Sequence, residues 1–587
     1  MYMLNRTGAF FNKYMLFVIL LLIFFITSLQ GFDVTDFGYH FTNQYLVLQY
    51  PISTVHINPM YMLSDFAGGI WLHSISVPNV MWGKLGGSIL LSFCALISYS
   101  ILENYFPKRD VFLYVFVCAL FLTLYPLTLI DYYTFPALLT IIFLWLFNKL
   151  LLTSKNSPEF GIYAFLQGFL FIAIILARFP LVLLAITLPL TGCYYWITKR
   201  PFDGLIRGLK FAVSGFITGA LVLLLFFHAL NILTEYTLLL TSQLFLSAFG
   251  GISTYGTADT STGLIRSYIY EYIQVFLGTL LFTGGIFFLK RLSLHQKWIK
   301  TSLVFILIIF LILTAYLSLF SFIALHLLIV FIGLVLLFTG LFFYVDRGES
   351  RNLSLLLLVS AWLMIINPVG SNTGIYKSSY AFWLVLPLSL LCIKNLGGRT
   401  RNTFITYVSQ FIPVLLMLML LSAIFFHGVD VYRDDPNRLH LIHPFQSDSL
   451  TGTYSTRDRV EVTDGLLSVI RNETIPGDYI LLENNIPMFY YLTKTRPALK
   501  NPWLSYTSTE SLITLEEERA QEGEIQPELF IYSKVNPRNR YWPAQVTPGR
   551  EKEVENLNYL KERYIGKLNY TRMWENDAFA VYKKPEN

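Results

Sequence analysis

Two carboxylates three residues apart, Asp33 and Asp36, sit in the stretch "SLQGFDVTDFGYHF" (residues 28–41), directly after an apolar run. A carboxylate so placed can take a proton from a hydroxyl or an amine as a general base. Four further charges stand alone beside apolar runs: Lys84, Asp131 in "LTLIDYYTFP", Arg178 in "LARFPLV" and Lys377 in "NPVGSNTGIYKSSY". Ionisable groups at or near membrane depth are costly to desolvate, so each is a candidate for function. Lys and Arg can hold a phosphate or pyrophosphate, Arg through two parallel bonds. The same residues also have plain structural uses. D-x-x-D is a weak motif that can cap a helix, Asp131 can cap the run that follows it, Arg178 can anchor at the interface, and Lys84 and Lys377 can snorkel.

The elements that must position these groups follow from composition. The 587 residues are 55% hydrophobic and 14% charged, against ~25% charged in soluble domains. Residues 1–427 hold 23 Lys/Arg and 13 Asp/Glu, whereas residues 428–587 hold 20 and 24. This predicts a polytopic α-helical membrane domain over 1–427 and a soluble α/β domain over 428–587. The basic excess of the first part reads as topology, not nucleic-acid binding. All four cysteines lie in apolar runs without metal-type spacing, which argues against a disulfide framework.

Runs of about 17–25 residues that can cross a bilayer lie near 12–30, 86–104, 110–128, 132–152, 161–178, 180–197, 209–231, 269–289, 300–318, 321–344, 353–369, 378–395 and 404–426. With the N-terminus in the cytoplasm, the inner segments carry 19 basic residues and the outer loops 4 (Lys84, Arg178, Arg266, Lys377). That asymmetry is what the positive-inside rule requires, and thirteen spans then put residues 428–587 outside. Asp33 and Asp36 fall in a long outer loop, 31–85, with two expected interfacial helices in "FTNQYLVLQY" and "LSDFAGGIWLHS". A second outer loop, 232–268, ends in "GGISTYGTADTSTG", a Gly/Ser/Thr-rich lid. His40, His56 and His73 are too widely spaced to indicate a metal; a divalent ion is possible but not indicated, and the cofactor stays unknown.

In the outer part, "RVEVTDGLLSVIRN" and "EKEVENLNYLKERY" have helical periodicity. "GDYILLEN", "ELFIYSK" and "DAFAVYKK" read as strands. No nucleotide, phosphate-loop or hydrolase motif occurs there, so the expected role is packing over the membrane domain or recognising an acceptor.

This layout resembles the GT-C superfamily of membrane glycosyltransferases, of the dolichyl-phosphate-mannose mannosyltransferase or aminoarabinose transferase type. The likeness rests on the acidic motif after the first span, the two-helix outer loop, an Asp at the second outer turn and an outer C-terminal domain. The segment "NIPMFYYLTKTRPALKNPW" is similar to a stretch of bacterial members. The resemblance implies sugar transfer from a polyprenyl-phosphate donor to a glycan, lipid or protein acceptor, at the outer face of the cytoplasmic membrane. It implies Asp36 or Asp33 as catalytic base, Asp131 as the second-loop acid, and Arg178, Lys84 and Lys377 around the donor phosphate. The usual adjacent acidic pair is here spaced by two residues, which leaves Asp33 and Asp36 both open; the Phe-Gly-Tyr context favours Asp36. Two rivals share the location. A flippase for lipid-linked saccharides predicts matching inverted halves, which are not seen. An O-antigen polymerase or ligase predicts a large loop between late spans, where this chain has short ones.

Overall fold

A computed structural model of the chain describes residues 12–55, 58–75, 79–123, 128–199, 201–249, 269–273, 351–369, 375–399, 403–483, 485–504, 509–521, 526–544 and 551–586. Helix α1 (Lys13–Ser28) buries Leu16, Leu20, Phe24 and Ser28, a stripe of every fourth residue, against α4 (Val80–Leu102). Its opposite face is equally apolar and exposed, with Tyr14, Val18, Leu22 and Ile26 outward. A helix apolar all round is one whose outer face meets lipid.

Among the described residues six helical segments are long and apolar enough to cross a membrane: Val80–Leu102, Thr134–Leu152, Pro158–Ala177, Phe179–Ile197, Asp203–Ala229 and Ile412–Val429. Three shorter apolar helices accompany them, Lys13–Ser28, Asn352–Ile366 and Phe382–Gly397. The expected span 269–289 beyond residue 273, both spans within 300–344, Arg266 and the Gly/Ser/Thr-rich segment lie outside the described residues.

Several boundaries differ from the sequence reading, among them the start of Asp203–Ala229, expected near residue 209. The second apolar helix begins at Val80 rather than near residue 86, because the Asn79 side chain accepts from Trp82 N (3.1 Å) and caps it. Lys84 therefore lies within α4 and not at the end of the outer loop. The third run is shorter than expected: α5 spans Lys108–Leu122 after Pro107.

The loop after α1 holds α2 (Asp36–Gln49) and α3 (Met62–Leu72), which pack on each other. Both were expected to lie in the interface with one wet face. Instead every residue of α2 from Phe37 to Val47 is buried, because the C-terminal part of the chain covers it.

That part carries a five-stranded sheet of order β2-β1-β3-β5-β4: Arg496–Pro497 (β2), Tyr479–Glu483 (β1), Leu529–Ser533 (β3), Phe579–Lys583 (β5) and Thr571–Glu575 (β4). β1 pairs parallel with β2 and β3, while β5 pairs antiparallel with β3 and β4. The short helix Met488–Thr493, from "MFYYLT", lies on α2. Met488 N donates to Val34 O (3.2 Å) and Thr42 Oγ1 to Pro487 O (2.8 Å). Gly38 makes this approach possible, since a Cβ there would come within 2.4 Å of Met488 N. One mixed core joins α2, α3 and the sheet, including Phe37, Phe41, Met62, Phe66, Met488, Phe489 and Phe579. The rest of the membrane helices share a second core.

Candidate active site

The backbone leaves α1 through Gly31, at φ +101°, a left-handed conformation that glycine tolerates. Gly31 N donates to Tyr454 O (2.8 Å) and Tyr454 N to Leu29 O (3.0 Å), so the chain just before the acidic motif is held by the C-terminal part. Lys84 holds the same turn from below. Its Nζ donates to Ser28 O and Gly31 O, each at 2.7 Å, and the side chain is buried.

The two carboxylates of the motif have different surroundings. Asp33 Oδ1 accepts from Thr35 N (2.8 Å) and Thr35 Oγ1 (2.6 Å), and Oδ2 from Phe37 N (3.1 Å). Both oxygens are engaged, the residue is buried, and the pattern is that of a cap on the first turn of α2. Asp36 keeps 23% of its side chain exposed. Its Oδ2 accepts from Tyr432 Oη and lies 2.8 Å from Arg433 Nη2, while no described residue donates to Oδ1.

Asp131 caps the helix Thr134–Leu152 through one oxygen, Oδ1, which accepts from Tyr133 N (2.8 Å), Thr134 N (2.6 Å) and Thr134 Oγ1 (2.9 Å). Its Oδ2 is buried and has no hydrogen-bond partner. Thus the capping use and an available oxygen coexist in one side chain. Gln44 Nε2 donates to Ile130 O (2.5 Å), which ties α2 to this turn.

Arg178 ends the helix Pro158–Ala177, and Phe179 N donates to Met60 O (2.8 Å), locking that end to the start of α3. Arg178 Nη2 donates to Asn367 O (2.5 Å) and Val369 O (3.3 Å), with Cζ 4.9 Å from the Tyr133 ring centre. It has no carboxylate partner among the described residues, so its charge is not neutralised there. Lys377 Nζ stands 3.7 Å from the same ring centre. Tyr133 thus gathers two cations beside Asp131.

His40 joins these groups. It is buried against Tyr39 and Tyr132, and its Nδ1 has no hydrogen-bond partner. Burial holds its pKa below the ordinary imidazole value; Asp131, Asp36 and Asp33 pull it back up, and Lys377 pushes it further down. One ring is therefore within electrostatic reach of four of the six candidate residues. His73 lies elsewhere, stacked on Tyr45 with ring centres 5.2 Å apart. Among the described residues no three His, Cys, Asp or Glu side chains are disposed to hold a metal ion.

Three residues of the cluster were absent from the sequence reading. Asp65, in α3, is buried with Oδ1 unpartnered. Burial, reinforced by the charge of Asp131, raises its pKa well above the ordinary 3.8. A carboxyl that the fold prefers protonated contributes stability at low pH that is lost as pH rises above its unfolded value. Asp65→Asn is therefore expected to raise Tm, with no gain near pH 4 and about 1–3 °C by pH 8, as read by thermal melts of the purified protein. A gain independent of pH would refute this assignment. Tyr432 and Arg433 are the other two, and the only signal for them is the charge cluster "VYRDDPNR" just after the last span.

This fold, with an acidic loop clamped between a helical bundle and a five-stranded sheet, is similar to that of solved structures. Across 97% of each chain it matches ArnT from Cupriavidus metallidurans bound to undecaprenyl phosphate, with a TM-score of 0.50 and 10% identity. Apo ArnT from the same organism matches over 98% of each chain at TM-score 0.49 and 11% identity. The Archaeoglobus fulgidus oligosaccharyltransferase tethered to an acceptor peptide matches 89% of this chain and 70% of its own, at TM-score 0.49 and 11% identity. At such identities the likeness concerns the fold. No family model and no curated protein matches the sequence.

Proposed function

We propose that this protein is a membrane glycosyltransferase that moves a sugar from a polyprenyl-phosphate donor to an acceptor at the extracytoplasmic face. The observation that carries the reading is the gathering of Asp36, Asp131, Arg178 and Lys377 around Tyr133 and His40. It joins a carboxylate with an open oxygen to two cations. Asp36 Oδ1 accepts the proton of the acceptor hydroxyl, and the acceptor oxygen forms a bond to the anomeric carbon. The bond from that carbon to the phosphate oxygen breaks, its electron pair leaving with the phosphate. Attack opposite the leaving group inverts the anomeric centre. Arg178 and Lys377 stabilise the departing charge, and Asp131 orients the sugar or acceptor through Oδ2. Lys84, with two donors spent on the turn before the motif, supports the site through that turn.

In this reading the chain has thirteen spans, a cytoplasmic N-terminus and an outer α/β domain over 428–587 that covers the catalytic loop. The acceptor is a glycan, lipid or protein. That ArnT has been solved with undecaprenyl phosphate supports a polyprenyl carrier.

Mass spectrometry of lipids that co-purify with the full chain tests the donor class directly: a polyprenyl phosphate or its sugar ester is expected, and consistent absence of both counts against the reading. Arg178→Ala with Lys377→Ala is expected to raise the donor KM by about 10-fold or more, measured by transfer from a synthetic polyprenyl-phosphate sugar. An unchanged KM would place the phosphate elsewhere.

A further inference from the structure

We propose that Arg433, carried on the segment that opens the outer domain, is a positioning residue for Asp36, so that the outer domain completes the active site. This rests on the reading of Asp36 as the base. The geometry separates the two oxygens of that carboxylate. Oδ2 is held by Arg433 Nη2 at 2.8 Å and by Tyr432 Oη, which fixes the plane of the carboxylate and leaves Oδ1 to meet an acceptor. A second guanidinium nitrogen, Nη1, donates to Thr35 Oγ1, so the fork spans the first turn of α2.

Arg433 is not a loose surface arginine. It adopts φ +50°, a left-handed conformation that non-glycine residues take up only where the surroundings demand it. Its carbonyl accepts from Arg459 Nη1 (2.9 Å). The adjacent Asp434 accepts from Phe32 N (2.8 Å) and pairs with Arg459 at 2.7 Å, both side chains being almost fully buried. The strut that carries Arg433 is thus anchored to the same turn that carries Asp36. Tyr432 adds a stacked contact with Phe37, ring centres 6.1 Å apart.

The electrostatics run the same way. The groups that face Asp36 are Arg433 and Tyr432 from the outer segment, Asp33 from the loop before α2, and His40 on α2 itself. Arg433 meets both acids of the motif: it pairs with Asp36 and pulls down an Asp33 carboxyl that burial and Asp36 push up. Without it, two carboxylates would stand together beside a buried imidazole, and holding a proton on one of them would become favourable. A base that must be ionised to work needs that counter-charge at the oxygen it does not use.

The test uses the full chain in nanodiscs, with Arg433→Gln, Arg433→Lys and Tyr432→Phe. Carboxyl labelling of Asp36 by a carbodiimide and glycine methyl ester, read by peptide mass spectrometry between pH 4 and 8, needs no enzyme activity. In Arg433→Gln the labelling midpoint is expected to move up by about one pH unit or more. Arg433→Lys should track the wild type and Tyr432→Phe fall between. Equal midpoints in Arg433→Gln and wild type overturn the proposal.

Transfer from a synthetic polyprenyl-phosphate sugar then separates roles. Arg433→Gln is expected to lose about 10²-fold in kcat, with donor KM unchanged and the acid limb of the pH profile moved upward. Arg433→Lys should restore most of the rate. A raised donor KM with kcat intact would instead make Arg433 a phosphate ligand and overturn the positioning role. If the wild type transfers no sugar, the proposed function fails, and the labelling result still decides whether Arg433 controls Asp36.

Discussion

Asp36→Asn is expected to cut sugar transfer by about 10²–10⁴-fold, while Asp33→Asn acts chiefly on stability. The difference follows from which oxygens are spent. Asp33 uses both of its own on the first turn of α2. An Asn there can keep the bonds from Thr35 but sets an amide N–H against Phe37 N–H, at a cost of about 1 kcal/mol. Asp36 leaves Oδ1 without a donor among the described residues and part of its surface open. An Asn at 36 still accepts one bond but cannot accept a proton. Transfer rates and melting curves of the two purified variants decide the matter. A stable, inactive Asp33→Asn beside an active Asp36→Asn would reverse the assignment.

Asp434→Ala is expected to be the most destabilising single change at the junction of the two parts, at about 3–5 kcal/mol. Arg459 is 1% exposed, and Asp434 carries the one full counter-charge paired with it, at 2.7 Å. Its remaining donors reach main-chain carbonyls: Nη2 to Arg540 O (2.9 Å) and Trp542 O (2.9 Å), and Nη1 to Arg433 O. Removing Asp434 leaves the guanidinium buried without its charge partner and strips the acceptor from Phe32 N and from Ser455 Oγ (2.7 Å). An uncompensated buried charge costs more than the pair gains. Replacing both partners, Asp434→Leu with Arg459→Met, should be milder for the same reason. Denaturant melts read by outer-domain tryptophans, with limited proteolysis between residues 428 and 460, measure the effect. Equal stability of the single and double variants would show that the pair carries no such weight. Because the strut also carries Arg433, transfer should fall with the loss of docking.

Local patterns were readable where one physical signal dominates. Apolar runs long enough to span a bilayer give helices such as Thr134–Leu152 and Pro158–Ala177, since backbone groups in lipid must bond within their own segment. The buried runs in "GDYILLEN" and "ELFIYSK" are neighbouring strands of the sheet. Helix starts were less legible: the expected start near residue 86 missed the Asn79 cap, seven residues upstream and set by one side chain rather than by hydropathy. That shift took Lys84 from a loop, where it could reach a ligand, into a helix where it holds the turn before the motif.

The sequence by itself determined that the chain spans a membrane many times, that its most charged quarter lies together at the C-terminus, and that a few ionisable residues stand alone among apolar ones. Composition and period suffice for these, because desolvation cost depends on what a residue is. The tertiary structure decided what each ionisable residue can do. Asp33 and Asp36 are indistinguishable by type and three residues apart, yet one caps a helix and the other meets an arginine 397 positions away. Asp65 gave no local signal and Arg433 only that of a charge cluster, because their partners come from other segments, Asp131 and Asp36. Whether a carboxylate is a cap, a counter-charge or a base depends on which donors reach which oxygen, and that is a property of packing between distant parts of the chain.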